Sequence, residues 1–299
     1  MMDAAVAAVR AGQCIGLPTE TVYGLAVDAT NGPAVARLYA LKGRPSFNPL
    51  IVHVADADTA SQLIEMSPAA LALADAFWPG PLTLVGVRRP RAGIADLVTA
   101  GLETLAVRVP AHPMAQAFLR AFGGPVAAPS ANRSGTPSPT TAAHVVADFG
   151  TDGPVVLDGG PCAAGLESTV VDVTTEPAVI LRLGALPRDA IAAVVRLADG
   201  TGAAARSPGR LARHYAPAKP LRLNVTAPDH DEAYLSFGTP SPYSLSGGGD
   251  LIEAAANLYA QLRAADASAY PRIAVAPIPQ TGLGEALNDR LVRAAGMVG

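Results

Sequence analysis

Short apolar segments that alternate with amphipathic helical ones predict an α/β protein built of layered sheet and helices. Two further observations support that class. The apolar segments are rich in β-branched residues and apolar on both faces, as a sheet covered on both sides requires. Half of the 299 residues are hydrophobic and only 16% are charged, which suffices for a buried core and two modest domains.

An Ala-rich helix opens the chain, and residues 14–17 read as a buried strand. Gly32-Pro33 starts a helix in which Val35 and Leu38 follow helical spacing; proline suits a first turn, where its missing N–H has no intrahelical acceptor. Residues 50–54 form the next strand. Ser67-Pro68 starts another helix, which Pro79-Gly80-Pro81 ends before a strand at 82–87. Further strands are expected at 105–109, 155–157, 169–173 and 179–183, so about seven precede Val195.

From Leu197 the character changes. Small residues and then SPGRLARHYAPAKP, with three prolines, read as an exposed linker. Beyond it, strands at 221–225, 234–237 and 273–277 and helices at 250–265 and 283–295 form a second α/β unit. The boundaries expected are 1–200, a linker or lid at 201–220, and an accessory domain at 221–299.

The formal net charge is −3, so nucleic acid would be held by a local patch rather than by the overall field, which leaves room only for a weak RNA contact. Cys14 and Cys162 are too few and too far apart for a disulfide framework or zinc fingers, and read as packing residues of a reducing compartment. The first residues lack an apolar run long enough for a signal or a membrane span, which predicts a soluble cytoplasmic protein.

Four segments carry chemistry. In KGRPSFNPLIVHV, Lys42 supplies a mobile point charge and Arg44 a planar fork, a combination suited to polyphosphate oxygens, while Pro45 and Pro49 stiffen the loop. In TLAVRVPAHP, the strand period of two puts Thr104, Ala106 and Arg108 on one face and Leu105, Val107 and Val109 on the core face. A buried Arg108 needs an anion, either a structural carboxylate or a ligand's carboxylate or phosphate. In PVAAPSANRSGTPSP, hydroxyls, amides and free N–H groups follow the end of a strand, where oxyanions and hydrated Mg²⁺ are accommodated. In LDGGPCAAGLESTVVDV, paired glycines permit close backbone approach and Ser168 opens a strand; Arg182, on the next strand, is a second candidate anion partner.

Neither a P-loop nor a GxGxxG fingerprint is present, no GxSxG elbow occurs, and the five histidines lack metal-ligand spacing. Such a site works by position and electrostatics rather than through a covalent nucleophile.

PTETVYGLAVDA, KGRPSFNPLIVHV, PGPLTLV, VRVPAHP, APSANRSGTPSPT, GLESTVVDV and ILRLGA come in the order found in the threonylcarbamoyl-AMP synthase family, whose catalytic module is of the YrdC type. SPGRLARHYAP, GDLIEAAANLYAQLRAAD and GLGEALNDRLVRAA resemble the linker and terminal domain of its longer form. The linker departs from the usual pattern before RHYAP, which leaves Arg210 without a role. The resemblance implies a twisted mixed sheet flanked by helices, with a cationic concave site, and a small Rossmann-like C-terminal domain. It implies formation of threonylcarbamoyl-adenylate and pyrophosphate from L-threonine, bicarbonate or CO₂, and ATP, for a tRNA threonylcarbamoyl transferase complex to use. By motif, Lys42 and Arg44 would be catalytic. Arg44, Asn48, Thr104, Ser130, Asn132, Ser138, Arg182, His214 and Tyr215 would bind ATP. Thr21, His53, Arg108 and Ser168 would bind threonine, and Mg²⁺ would be held by the ATP phosphates with no direct protein ligand. The competing reading is a double-stranded RNA-binding or ribosome-assembly module.

Overall fold

A computed structural model describes residues 1–150, 153–199 and 214–297. Most of the expected linker, including Arg210, lies outside the described residues.

The first sheet has nine strands. They are β1 (Ile15–Leu17), β2 (Gly24–Asp28), β3 (Ile51–His53), β4 (Leu82–Val87), β5 (Thr104–Arg108), β6 (Val126–Ala127), β7 (Val155–Val156), β8 (Thr169–Asp172) and β9 (Val179–Arg182). Their order is β7-β1-β2-β6-β3-β5-β4-β8-β9, with parallel and antiparallel pairs mixed. β7 falls where a strand is expected at 155–157, whereas β2 is not among the expected strands. Gly24 and Asp28 bound it with turn-type residues, yet Leu25, Ala26 and Val27 are fully buried, Leu25 and Ala26 pairing with β1 and Val27 with β6.

Eight helices accompany this sheet: α1 (Met2–Arg10), α2 (Gly32–Lys42), α3 (Ala57–Leu63), α4 (Pro68–Phe77), α5 (Asp96–Thr99), α6 (Pro113–Phe122), α7 (Ala142–Phe149) and α8 (Arg188–Ala192). Asn31 caps α2 by accepting from the Ala34 N–H, with Pro33 in the first turn, and Ser67 caps α4 in the same manner. The largest core lies on the face carrying Leu84, Leu105 and Val107. The opposite face holds a small apolar cluster of Ile51, Val85, Ala106, Val170 and Leu181.

Cross-strand register builds the site on that second face. His53 pairs with Arg108, Arg108 with Thr83, Thr83 with Val170, and Val170 with Arg182. Directly opposed residues point to the same side of a sheet, so a row that is polar except at Val170 crosses five strands along the small apolar cluster. This is the face on which the strand period places Arg108.

The second unit is a three-stranded parallel sheet in the order β10 (Leu221–Arg222), β12 (Arg272–Val275), β11 (Glu232–Leu235), with α9 (Leu251–Ala267) and α10 (Leu283–Ala294). Its core takes in Leu258, Leu262, Leu287 and Leu291, together with Val22 and Leu166 from the first unit. Gly165 explains how the two meet. A Cβ there would stand 2.4 Å from the Ala255 carbonyl oxygen and 2.5 Å from the Ala256 Cα, so only glycine lets the chain lie against α9. Both thiols are raised by burial, Cys14 to about 11 and Cys162 to about 12, as packing cysteines are. No helix among the described residues is long and apolar enough to cross a membrane.

Candidate active site

Helix α2 ends with Lys42, and Gly43 takes the left-handed conformation (φ 63°), which turns the chain so that Arg44 N–H bonds back to the Tyr39 carbonyl. The two cations of the KGR segment therefore part company. Lys42 is 2% exposed, and its Nζ donates to the carbonyl oxygens of Ser130 and Asn132 at 2.7 Å each and to Asn132 Oδ1 at 3.0 Å. It stands behind the Ser130–Asn132 turn rather than in the cavity lining. Arg44 does line the cavity, and its fork donates to the carbonyls of Asn48 (3.2 Å) and Pro49 (2.9 Å). Burial lowers it to about 10, which leaves it ionised at neutral pH. Among the described residues neither cation has a carboxylate partner within ion-pair distance.

Ser130 Oγ donates to Asn132 Oδ1 at 2.6 Å, and Asn132 Nδ2 closes the turn by donating to the Arg133 and Thr136 carbonyls at 2.8 Å. Asn48 contributes its carbonyl, which also accepts from Tyr39 Oη at 2.9 Å. Ser138 donates to Glu167 Oε1 at 2.6 Å, outside the cavity lining. Thr104 stands apart from this group. It occupies the far end of β5 and borders a separate small cavity with Pro49, Val85 and Val98.

Further along the polar row, Arg108 has a structural carboxylate, one of the two alternatives left open by its sequence. Its Nη2 pairs with Glu20 Oε1 at 2.6 Å, Nη1 donates to Thr21 Oγ1 at 2.8 Å, and Nε donates to the Gly80 carbonyl. A guanidinium has five N–H groups, so two remain for a ligand anion. His53 lines the same cavity. Burial and the neighbouring Arg108 charge push it down to about 3, so the ring is neutral, and its Nδ1 has no partner among the described residues. Ser168 Oγ lies 2.7 Å from Thr83 Oγ1, and Arg182 holds the Ser168 carbonyl from Nη2 at 2.9 Å.

His214 and Tyr215 complete the enclosure. Their rings meet edge to face at 4.0 Å, and both are buried against the cavity. Tyr215 adopts φ 63°, a conformation that disfavours a bulky side chain and so is held by its surroundings. Arg290 of α10 lies over the Tyr215 ring at 5.3 Å. About 50 Å³ of room is left inside, enough for a water or two.

The cavity thus brings together Thr21, Arg44, His53, Arg108, Ser130, Ser168, Arg182, His214 and Tyr215. Lys42, Asn48, Asn132 and Ser138 support it from one layer behind. Sequence reasoning missed Glu20, Thr83 and Glu167, which stand inside quoted motifs, because a carboxylate is not sought in an anion site. It also missed Tyr259 and Arg290 of the C-terminal unit. Arg290 had a signal: helical spacing sets it on the stripe of Leu287, Leu291 and Ala294, where a charge must find a partner.

Residues 7–184 match the family model described as telomere recombination, and residues 186–296 match the one described as threonylcarbamoyl-AMP synthase, C-terminal domain. A threonylcarbamoyl-AMP synthase of Bacillus subtilis is 39% identical over 322 aligned positions, covering 98% of this chain and 92% of its own. The chain belongs to the threonylcarbamoyl-AMP synthase family. The crystal structure of Pyrococcus abyssi Sua5 complexed with L-threonine agrees with this fold at a TM-score of 0.87 and 34% identity, covering 99% of this chain and 94% of that one. A family member from Halorhodospira halophila, 43% identical over 151 residues, aligns 76% of its length with 49% of this chain. The family therefore has shorter members.

Proposed function

We infer that this chain forms L-threonylcarbamoyl-adenylate and pyrophosphate from L-threonine, bicarbonate or CO₂, and ATP. The observation that carries the reading is the charge distribution. Arg44 faces the cavity, and Lys42 backs it, with no carboxylate partner among the described residues, while Arg108 and Arg182 stand on the same polar row. Arg44, held by carbonyls, stays ionised for an incoming polyanion, while burial and the neighbouring Arg44 charge push the Lys42 ammonium well down.

In the reaction, the amine of threonine adds to CO₂ and loses a proton, giving a carbamate. A carbamate oxygen then forms a bond to the α-phosphorus of ATP, and the bond from that phosphorus to the bridging oxygen breaks, releasing pyrophosphate. The nucleophile is anionic already, so orientation and charge neutralisation suffice. Arg108, Thr21, His53 and Ser168 would hold threonine, the carboxylate on the two spare N–H groups of Arg108. Neutral His53 has an unpartnered ring nitrogen suited to the substrate hydroxyl. Arg44, Ser130 and Arg182 would face the phosphates, with Lys42, Asn48, Asn132 and Ser138 acting through the loops they hold. The position of Thr104 gives no support to a nucleotide contact in this arrangement.

The described residues hold no group of three His, Cys, Asp or Glu fit for a metal. The Ser130 hydroxyl at the cavity wall would meet Mg²⁺ carried on the ATP phosphates, where it would neutralise phosphate charge. His214 and Tyr215, which line the cavity, would lie over the bound nucleotide. The product, a mixed anhydride, suits a tRNA-modifying transferase that moves the threonylcarbamoyl group to adenosine, and a cytoplasmic setting follows from that use. Purified protein incubated with ATP, L-threonine and ¹³C-bicarbonate tests the reading: the threonylcarbamoyl-adenylate mass should carry the label, and absence of that adduct would defeat it.

A further inference from the structure

Glu167 is a carboxylate in the lining of a cavity that otherwise gathers cations, and it is 6% exposed. Standing there uncompensated, it would repel any polyphosphate. Its partners come from both units. Ser138 Oγ donates to Oε1 at 2.6 Å, Tyr259 Oη of α9 stands 2.9 Å from both oxygens, and Arg290 Nε of α10 donates to Oε2 at 2.9 Å. Arg290 also donates to the Leu183 carbonyl from Nη2 at 2.6 Å, pairs with Asp289, and covers the Tyr215 ring. Three donors, Ser138, Tyr259 and Arg290, share the two oxygens of Glu167, so it is no free base; it is a fixed post. The next residue, Ser168, meets Thr83 through its hydroxyl and Arg182 through its carbonyl. The Glu167 carbonyl in turn accepts from Ala185 N–H.

We propose that Arg290, with Tyr259, is a positioning residue of the active site: the C-terminal domain neutralises and anchors Glu167, and through it sets Ser168, Arg182 and Tyr215 for substrate. On this view the second domain is not an appendage with a linker. It supplies the counter-charge that lets a carboxylate stand where phosphates bind. The ionised state of Glu167 is consistent with this: burial alone would raise it, and Arg290, Arg182 and the Ser138 hydroxyl hold it down at about 2.

The inference rests on the synthase reading, and the test separates the two. Wild-type turnover checks the reading; calorimetric affinity for a non-hydrolysable ATP analogue, which needs no turnover, checks Arg290. Arg290→Met should weaken analogue binding at least about fivefold, the lower range of ordinary coupling between sites, and should raise the ATP KM. Glu167→Gln in the Arg290→Met background should recover most of that loss, since it removes the stranded charge. A loss caused only by missing contacts of Arg290 with Leu183, Asp289 and Tyr215 would not be rescued, because Glu167→Gln restores none of them. Tyr259→Phe keeps the ring and is the second variant should Arg290→Met fail to fold; it should weaken analogue binding by up to about tenfold as one hydrogen bond to a charged group is lost. Wild-type affinity in either variant, or a double variant no better than Arg290→Met, would overturn the proposal.

Discussion

Lys42→Met separates two roles that a KGR motif alone leaves merged. If Lys42 were a side chain waiting for phosphate, deleting its charge would leave the ligand-free protein as stable as before. Here the ammonium is already committed to the carbonyls of Ser130 and Asn132 at 2.7 Å each. Asn132 Oδ1 would keep its Ser130 donor, but the two backbone oxygens would be stranded in a buried turn. A stranded buried acceptor costs about 1–3 kcal/mol, and relief from burying the ammonium offsets part of the sum, so the net loss should be about 2 kcal/mol. At about 2.1 cal/mol/K of unfolding entropy per residue, that lowers Tm of this 299-residue chain by roughly 3 °C. Thermal unfolding of the ligand-free variant measures it, with ATP affinity alongside. A variant that melts at or above the wild-type temperature while ATP affinity collapses would refute the organising role and restore direct phosphate contact.

Other outcomes follow from the same geometry. Tyr215→Ala removes the ring held between Arg290 and Tyr259, and should raise the apparent ATP KM or lower turnover; unchanged kinetics would make this segment a tether. Serine lacks only the methyl of threonine and should be the commonest wrong substrate, at about 10–200-fold lower kcat/KM, whereas valine should be rejected more strongly because it strands the hydroxyl partners; equal rates for valine and threonine would contradict the site. Glu167 lies at about 2 against an ordinary 4.5, a gap worth about 3 kcal/mol. Because its folded value is depressed, that stability is present above pH 4.5 and is lost as pH falls toward 2. Denaturant unfolding between pH 5 and pH 2.5 should therefore fall less steeply for Glu167→Gln than for wild type.

Much of the architecture was legible because sheet and helix periods differ. The alternation in 104–109 gave the face of Arg108, and proline in the first turn gave α2 and α4. The strand at 24–28 was not legible, since its glycine and aspartate ends look like turn residues and only pairing to β1 and β6 reveals it. For the site, residue types pointed to anion chemistry, but type does not say which cation faces the cavity. That is decided by Gly43, which turns Arg44 in while Lys42 stays behind. The row of His53, Arg108, Thr83 and Arg182 depends on register between strands distant in sequence, so no local pattern displays it. The long-range pair of Glu167 and Arg290, 123 residues apart, is hidden for the same reason. The opposition of Arg108 and Glu20 was half visible: a buried arginine asks for an anion without naming it.

One cationic cavity joins a threonine carbamate to the α-phosphate of ATP on this account. Pyrophosphate release by the purified full chain, with Mg²⁺ and ATP present and threonine and bicarbonate each withheld in turn, tests it most directly. Release should require both. Release that continues at the same rate without threonine would contradict the account.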